Sequence, residues 1–79
     1  MSFIKYNCNL YYKRRLRDLT QKKLAEKIGI KRHEISILEK GHKLPTSELL
    51  DKIINELNMK ESDIYSDREL EIILDYKKE

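Results

Sequence analysis

The stretch "TQKKLAEKIGIKRHEISILEKG", Thr20 to Gly41, decides the fold. Thr20 is a good N-cap, and Leu24, Ala25 and Ile28 recur behind it at helical spacing. Gly29 ends that run as a glycine just past a helix end commonly does. A second helix runs from Lys31 or Arg32 to Lys40, turns Ile35 and Leu38 inward, and stops at Gly41. Three residues in this stretch have steric roles. Ala25 sits where the two helices cross, and a larger side chain would hold them apart. Gly29 makes the sharp turn, and Ile35 locks the second helix onto the first.

Working outward, Leu10, Leu16 and Leu19, with Tyr6 or Tyr12 beside them, predict a first helix from roughly Asn7 to Arg17. Asp18 then falls at the turn, where Asp tolerates a left-handed backbone better than most residues. Beyond the "HKLP" loop, Thr46 or Ser47 caps a helix to about Asn58, with Leu49, Leu50, Ile53, Ile54 and Leu57 as its apolar stripe. "ESDIY" is a short helix whose Ile64 plugs the core. Ser66 or Asp67 caps a last amphipathic segment. Leu70, Ile73 and Leu74 fall on one face, Lys77 continues the row, and Glu69, Glu71 and Asp75 lie largely opposite.

With 79 residues the chain is one domain, near the lower limit for a self-sufficient core. One proline and two glycines are too few breakers for short strands linked by turns, so the fold class is all-α. The longest uncharged run, "YNCNLYY" from Tyr6, is too short and too polar for a membrane span or a signal-peptide core. Cys8, the single cysteine, cannot form an internal disulfide, and no Cys/His cluster offers a zinc site. A cytoplasmic setting and the absence of any metal or cofactor are the expectations.

The net charge of +3 conceals a division. Residues 1–45 hold 12 Lys and Arg against four acids, a net +8, and residues 46–79 hold five bases against ten acids, a net −5. Such segregation points to a polyanion on one side of the molecule. The cations also sit where a helix does not want them. Lys22 and Lys23 open one helix, and Lys31 and Arg32 the next, although a helix amino terminus carries partial positive charge. If those ends face phosphates, anion, helix dipole and side chains become mutually favourable. The alternative is that the side chains extend into water at a loss of some tenths of a kcal/mol each, roughly.

The Thr20–Gly41 pair has the spacing of a helix-turn-helix, a unit whose second helix can enter a DNA major groove. "LTQKKLAEKIGIKRHEISILEKG", followed by a proline and "LLDKIINELNM", resembles the lambda-repressor and Cro type of helix-turn-helix protein, the xenobiotic-response-element family. The matches are Thr20–Gln21, Leu24–Ala25, Gly29, Ile35–Ser36, Glu39 and Gly41, within a span from Leu10 to Tyr65. The resemblance implies a five-helix DNA-binding domain over residues 1–65 that acts as a homodimer on a two-fold symmetric operator. Residues 66–79 are then an added helix, for dimerisation through Leu70, Ile73 and Leu74 or for docking.

By position in that family, Gln21 contacts a phosphate or buttresses the recognition helix. Arg32, His33, Ser36 and Ile37 face bases, Lys40 and Lys43 grip the backbone, and Arg14 pairs with Glu39 to tie the first helix to the third. Chemically, Arg32 can bond guanine O6 and N7 together or clamp a phosphate. His33 donates to DNA or is merely exposed, and Ile37 covers a thymine methyl or packs on a partner protein. Lys31 replaces the usual Ser or Thr cap, Asp18 stands where glycine is common, and Ile37 occupies a usually polar place.

These residues predict a sequence-specific transcriptional regulator, a repressor, on double-stranded DNA. A protein-interaction module, antitoxin-like and using the same scaffold, is the competing class. An enzyme is the weakest reading: His33 and His42 lack a paired nucleophile, and neither a carboxylate pair nor a glycine-rich phosphate loop is present.

Overall fold

The computed structural model describes residues 5–78, with side chains through Asp75. It is all-helical, in the order α1 (Leu10–Leu16), α2 (Gln21–Ile28), α3 (Arg32–Glu39), α4 (Ser47–Leu57), α5 (Glu61–Ile64) and α6 (Asp67–Lys78). Boundaries follow local chemistry. The Thr20 hydroxyl accepts the Lys23 N–H at 3.0 Å and the Thr46 hydroxyl the Leu49 N–H at 3.1 Å, so both threonines cap as their side chains allow. Gly29 closes α2 at φ 79°, and Asn58 closes α4 at φ 55°. Asp18 turns the chain between α1 and α2 at φ 56°.

Leu10, Leu24, Ile35, Leu38, Leu50, Ile53, Leu57 and Ile64 form one closed core. α2 packs on α3 and α4, and α1 on α3 and α5. Arg17 ties α1 to the far end of α4, donating from Nε to the Leu57 carbonyl at 2.7 Å, one of the carbonyls a helix end leaves unpaired.

The first helix differs from expectation. Residues 7–9 lie outside the helix, because their backbone is taken up elsewhere. The Asn9 N–H donates to the Ile64 carbonyl at 2.9 Å, and Cys8 bridges Tyr65 in antiparallel fashion. Leu16, expected inward, is 65% exposed, whereas Arg14 is 4% exposed. Leu10 and Arg14, one helical turn apart, hold the inward face of α1.

α6 folds back onto α4 and α5. The radius of gyration of 12.0 Å matches the roughly 12 Å of a compact chain of this length, so α6 does not project. Ile73 is 1% exposed, Leu70 is half-buried against the same core, and Leu74 remains 39% exposed. The Ile73 side chain is therefore packed within the protomer. The side chain of Lys77, expected to extend that row, lies outside the described residues.

Glu69, expected on the polar side, is fully buried. It accepts the Ser66 hydroxyl through Oε1 and the Asn7 N–H through Oε2 at 3.2 Å. Buried carboxylates persist when hydrogen-bonded in this way, and these bonds hold the carboxyl below the usual glutamate range despite burial.

Candidate nucleic-acid interface

A three-sided polar junction positions the helix pair. Arg14 donates from Nε to Glu39 Oε2 at 2.6 Å and from Nη2 to Oε1 at 3.2 Å, while its Nη1 donates to the Leu19 carbonyl at 2.6 Å. Gln21 Nε2 completes the set by donating to Glu39 Oε1 at 2.8 Å. One carboxylate thus joins α1, α2 and α3. Gln21 is thereby tied to α3 through Glu39. The junction fixes the orientation in which α3 meets its surroundings, with Ala25 buried at the crossing and Ile35 and Leu38 beneath α3.

The opposite side of α3 is open. Arg32, His33 and Lys40 are exposed, and Ser36 and Ile37 are half-buried. Gln21, Arg32, His33 and Ser36 line one shallow groove between the start of α2 and α3. Lys31 and Lys43 are exposed but outside it; Lys43 borders a separate hollow with Glu34, Pro45 and Thr46.

The front of α3 is only half capped. The Lys31 N–H donates to Glu34 Oε1 at 3.4 Å, but an ammonium has no lone pair and cannot return the bond to the helix. α2, by contrast, has its threonine cap.

A second cleft adjoins the groove. It is lined by Arg14, Arg15, Asp18, Leu19, Thr20, Gln21, Lys22 and Arg32. Apolar periodicity does not single out Arg15, because a charged residue on an exposed helix face leaves no apolar pattern. The i, i+4 spacing of Tyr11 and Arg15 is the signal that could have found it.

Cys8 is half-buried beside Tyr65, and burial pushes its thiol above the ordinary range, away from reactivity. Among the described residues no helix is long and apolar enough to cross a membrane.

A helix-turn-helix family model matches residues 10–64. The chain belongs to the helix-turn-helix family. This helix-turn-helix chain is 41% identical over 56 residues to an HTH-type transcriptional regulator of Methanocaldococcus jannaschii, covering 71% of this chain and 85% of the relative. It is 40% identical over 48 residues to another from Archaeoglobus fulgidus, covering 61% and 68%. Its fold is similar to a crystal structure of the clp gene regulator ClgR from Corynebacterium glutamicum, with a TM-score of 0.64 and 31% identity. That match covers 68% of this chain and 57% of that chain, so this chain spans little more than half of the chain in that structure. A second ClgR structure gives a TM-score of 0.63 at 31% identity, covering 68% of this chain and 70% of the other.

Proposed function

We propose that the chain is a sequence-specific DNA-binding regulator that represses by occupying a palindromic operator as a homodimer, with α3 in the major groove. One observation carries the reading. Arg32, His33 and Ser36 share a solvent-facing groove whose orientation is set by the buried Arg14–Glu39–Gln21 junction. Base-reading side chains must be held on a rigid element, and this junction supplies the rigidity. Lys22, Lys40 and Lys43 stand exposed around that face, suited to phosphates. A dimer is proposed because half-sites one helical turn apart require two recognition helices at that spacing.

The test is selection of bound sites from random duplex DNA, which should return an inverted repeat. Affinity should fall by roughly a thousandfold or more between about 50 and 200 mM salt if a dimer neutralises about six to ten phosphates. Salt-insensitive binding would sink the reading. The exposed Tyr12 and Leu16 on α1 favour a second role, contact with a protein in the manner of an antitoxin. That reading gains if Leu16→Asp on this face spares DNA binding but abolishes capture of a purified partner.

A further inference from the structure

We infer that Arg15, held by Tyr11, is a backbone-phosphate ligand for the DNA strand that passes between α1 and the start of α2, outside the groove read by α3. The inference rests on the DNA-binding reading and extends it to a helix that reading leaves out.

Tyr11 and Arg15 lie one turn apart on α1. Arg15 Nη1 donates to the Tyr11 hydroxyl at 3.3 Å, and its guanidinium carbon lies 5.7 Å from the ring centroid. The ring thus restrains a side chain that would otherwise sample many rotamers. Arg15 lines the cleft together with Lys22 from α2 and Arg32 from α3, so three helices each contribute an exposed cation. Among the described residues, the ion pairs within 4.0 Å are Arg14–Glu39, Lys27–Glu56 and Arg68–Glu69, none of which involves these three. The neighbouring Arg14 is neutralised by Glu39, and the single acid lining the cleft is Asp18. The mouth of the cleft therefore carries excess positive charge.

The carboxyl end of α1 favours a cation, which accounts for an arginine in its last turn. It does not account for convergence with Lys22 and Arg32, which is repulsive without an anion. A guanidinium fork matches two phosphate oxygens. Gln21 and Arg32 border both the cleft and the base-facing groove. A strand whose bases meet α3 therefore brings its sugar-phosphate edge to Arg15. That continuity points to a duplex phosphate rather than a free anion.

The experiment measures binding of the full chain to its selected operator and to a random duplex across a salt series, for wild type, Arg15→Gln and Arg68→Gln. Arg68 is an exposed cation on α6 that does not line the cleft and lies 4.0 Å from the Glu69 carboxylate, and its replacement makes the same change in charge. Arg15→Gln should weaken both duplexes by the same factor and lower the slope of log K against log salt by about 0.9 for each phosphate that is no longer neutralised. Arg68→Gln should leave the slope unchanged. Circular dichroism should show the wild-type fold for Arg15→Gln, an exposed residue, and urea midpoints check that Arg68→Gln, whose guanidinium faces the buried Glu69, is folded over the whole salt series. An unchanged slope for Arg15→Gln, an equal change for Arg68→Gln, or a loss confined to one operator base pair would each overturn the inference alone. Wild type that is retained on neither duplex at low salt would overturn the DNA reading and this inference with it.

Discussion

Arg14 and Glu39, 25 residues apart in the chain, meet in a two-pronged ion pair with their side chains 5% and 6% exposed. The pair sits between α1 and α3, and Gln21 bonds the same carboxylate from α2. Removing one partner leaves the other charged, buried and unpaired. Arg14→Ala or Glu39→Ala should therefore lose about 3–5 kcal/mol in urea denaturation. Replacing both with Met should lose markedly less, because no lone charge remains. Equal losses for single and double variants would show that the pair acts through packing alone.

The two glycines answer different needs. Both have positive φ, 79° at Gly29 and 76° at Gly41. A Cβ at Gly29 would meet nothing within 4 Å, so Gly29→Ala should lose only the left-handed penalty of about 1–2 kcal/mol. A Cβ at Gly41 would collide with the Tyr6 carbonyl oxygen, and the Tyr6 N–H donates to the Gly41 carbonyl at 2.9 Å. Gly41→Ala should be clearly the worse of the two in thermal melts. Matching losses would mean that the Tyr6 segment yields readily.

Local signals make α2 legible to the residue, because Thr20 and Gly29 mark its two ends and Leu24, Ala25 and Ile28 its inner face. The α3 face is legible for the same reason. α1 is less so: apolar periodicity places Leu16 inside, but Arg14 takes that side because Glu39 and the Leu19 carbonyl, distant or beyond the helix, receive its guanidinium. Glu69 misleads by the same logic, since periodicity counts every carboxylate as outward. Its burial depends on Asn7, 62 residues away. The nearer clue is the S-x-x-E spacing of Ser66 and Glu69, a helix-start signature.

Glu69 should confer a specific acid sensitivity. The Ser66 hydroxyl is the main cause of its lowered pKa, with the Asn7 N–H and Arg68 helping, while burial opposes them. A depressed folded-state pKa means stability that is complete above the unfolded glutamate value of about 4.3 and lost as pH falls through the lower folded value. Glu69→Gln should flatten that part of the stability–pH curve, measured by urea midpoints from about pH 5 downward. A curve unchanged in shape would place the acid response on other carboxylates.

At the groove, Arg32→Ala should weaken binding to the selected operator by about 1–3 kcal/mol and relax preference at one base pair. Ile37→Ala should reduce preference for a thymine with little effect on folding, because Ile37 is outside the buried core cluster. If Arg32→Ala weakened all sequences alike and lowered the salt slope, Arg32 would be a phosphate ligand instead.

The proposed dimerisation, if it runs through α6, can be separated from the helix's role in the fold, because Ile73 and Leu74 are adjacent yet differently placed. Ile73 is buried in the protomer and Leu74 is 39% exposed. Ile73→Ala should destabilise by about 2–5 kcal/mol as a core truncation while leaving the assembly state of the folded fraction alone. Leu74→Asp should do the reverse, halving the apparent mass in sedimentation with little change in the unfolding midpoint at concentrations where wild type is also monomeric. Truncation after Tyr65 would not make this distinction, since it removes Ile73 and Glu69 from the core together with Leu74. Operator binding by Leu74→Asp should weaken and become a half-site titration, because two recognition helices are no longer held one turn apart. A Leu74→Asp protein that stays dimeric at micromolar concentration would move the interface off this face of α6.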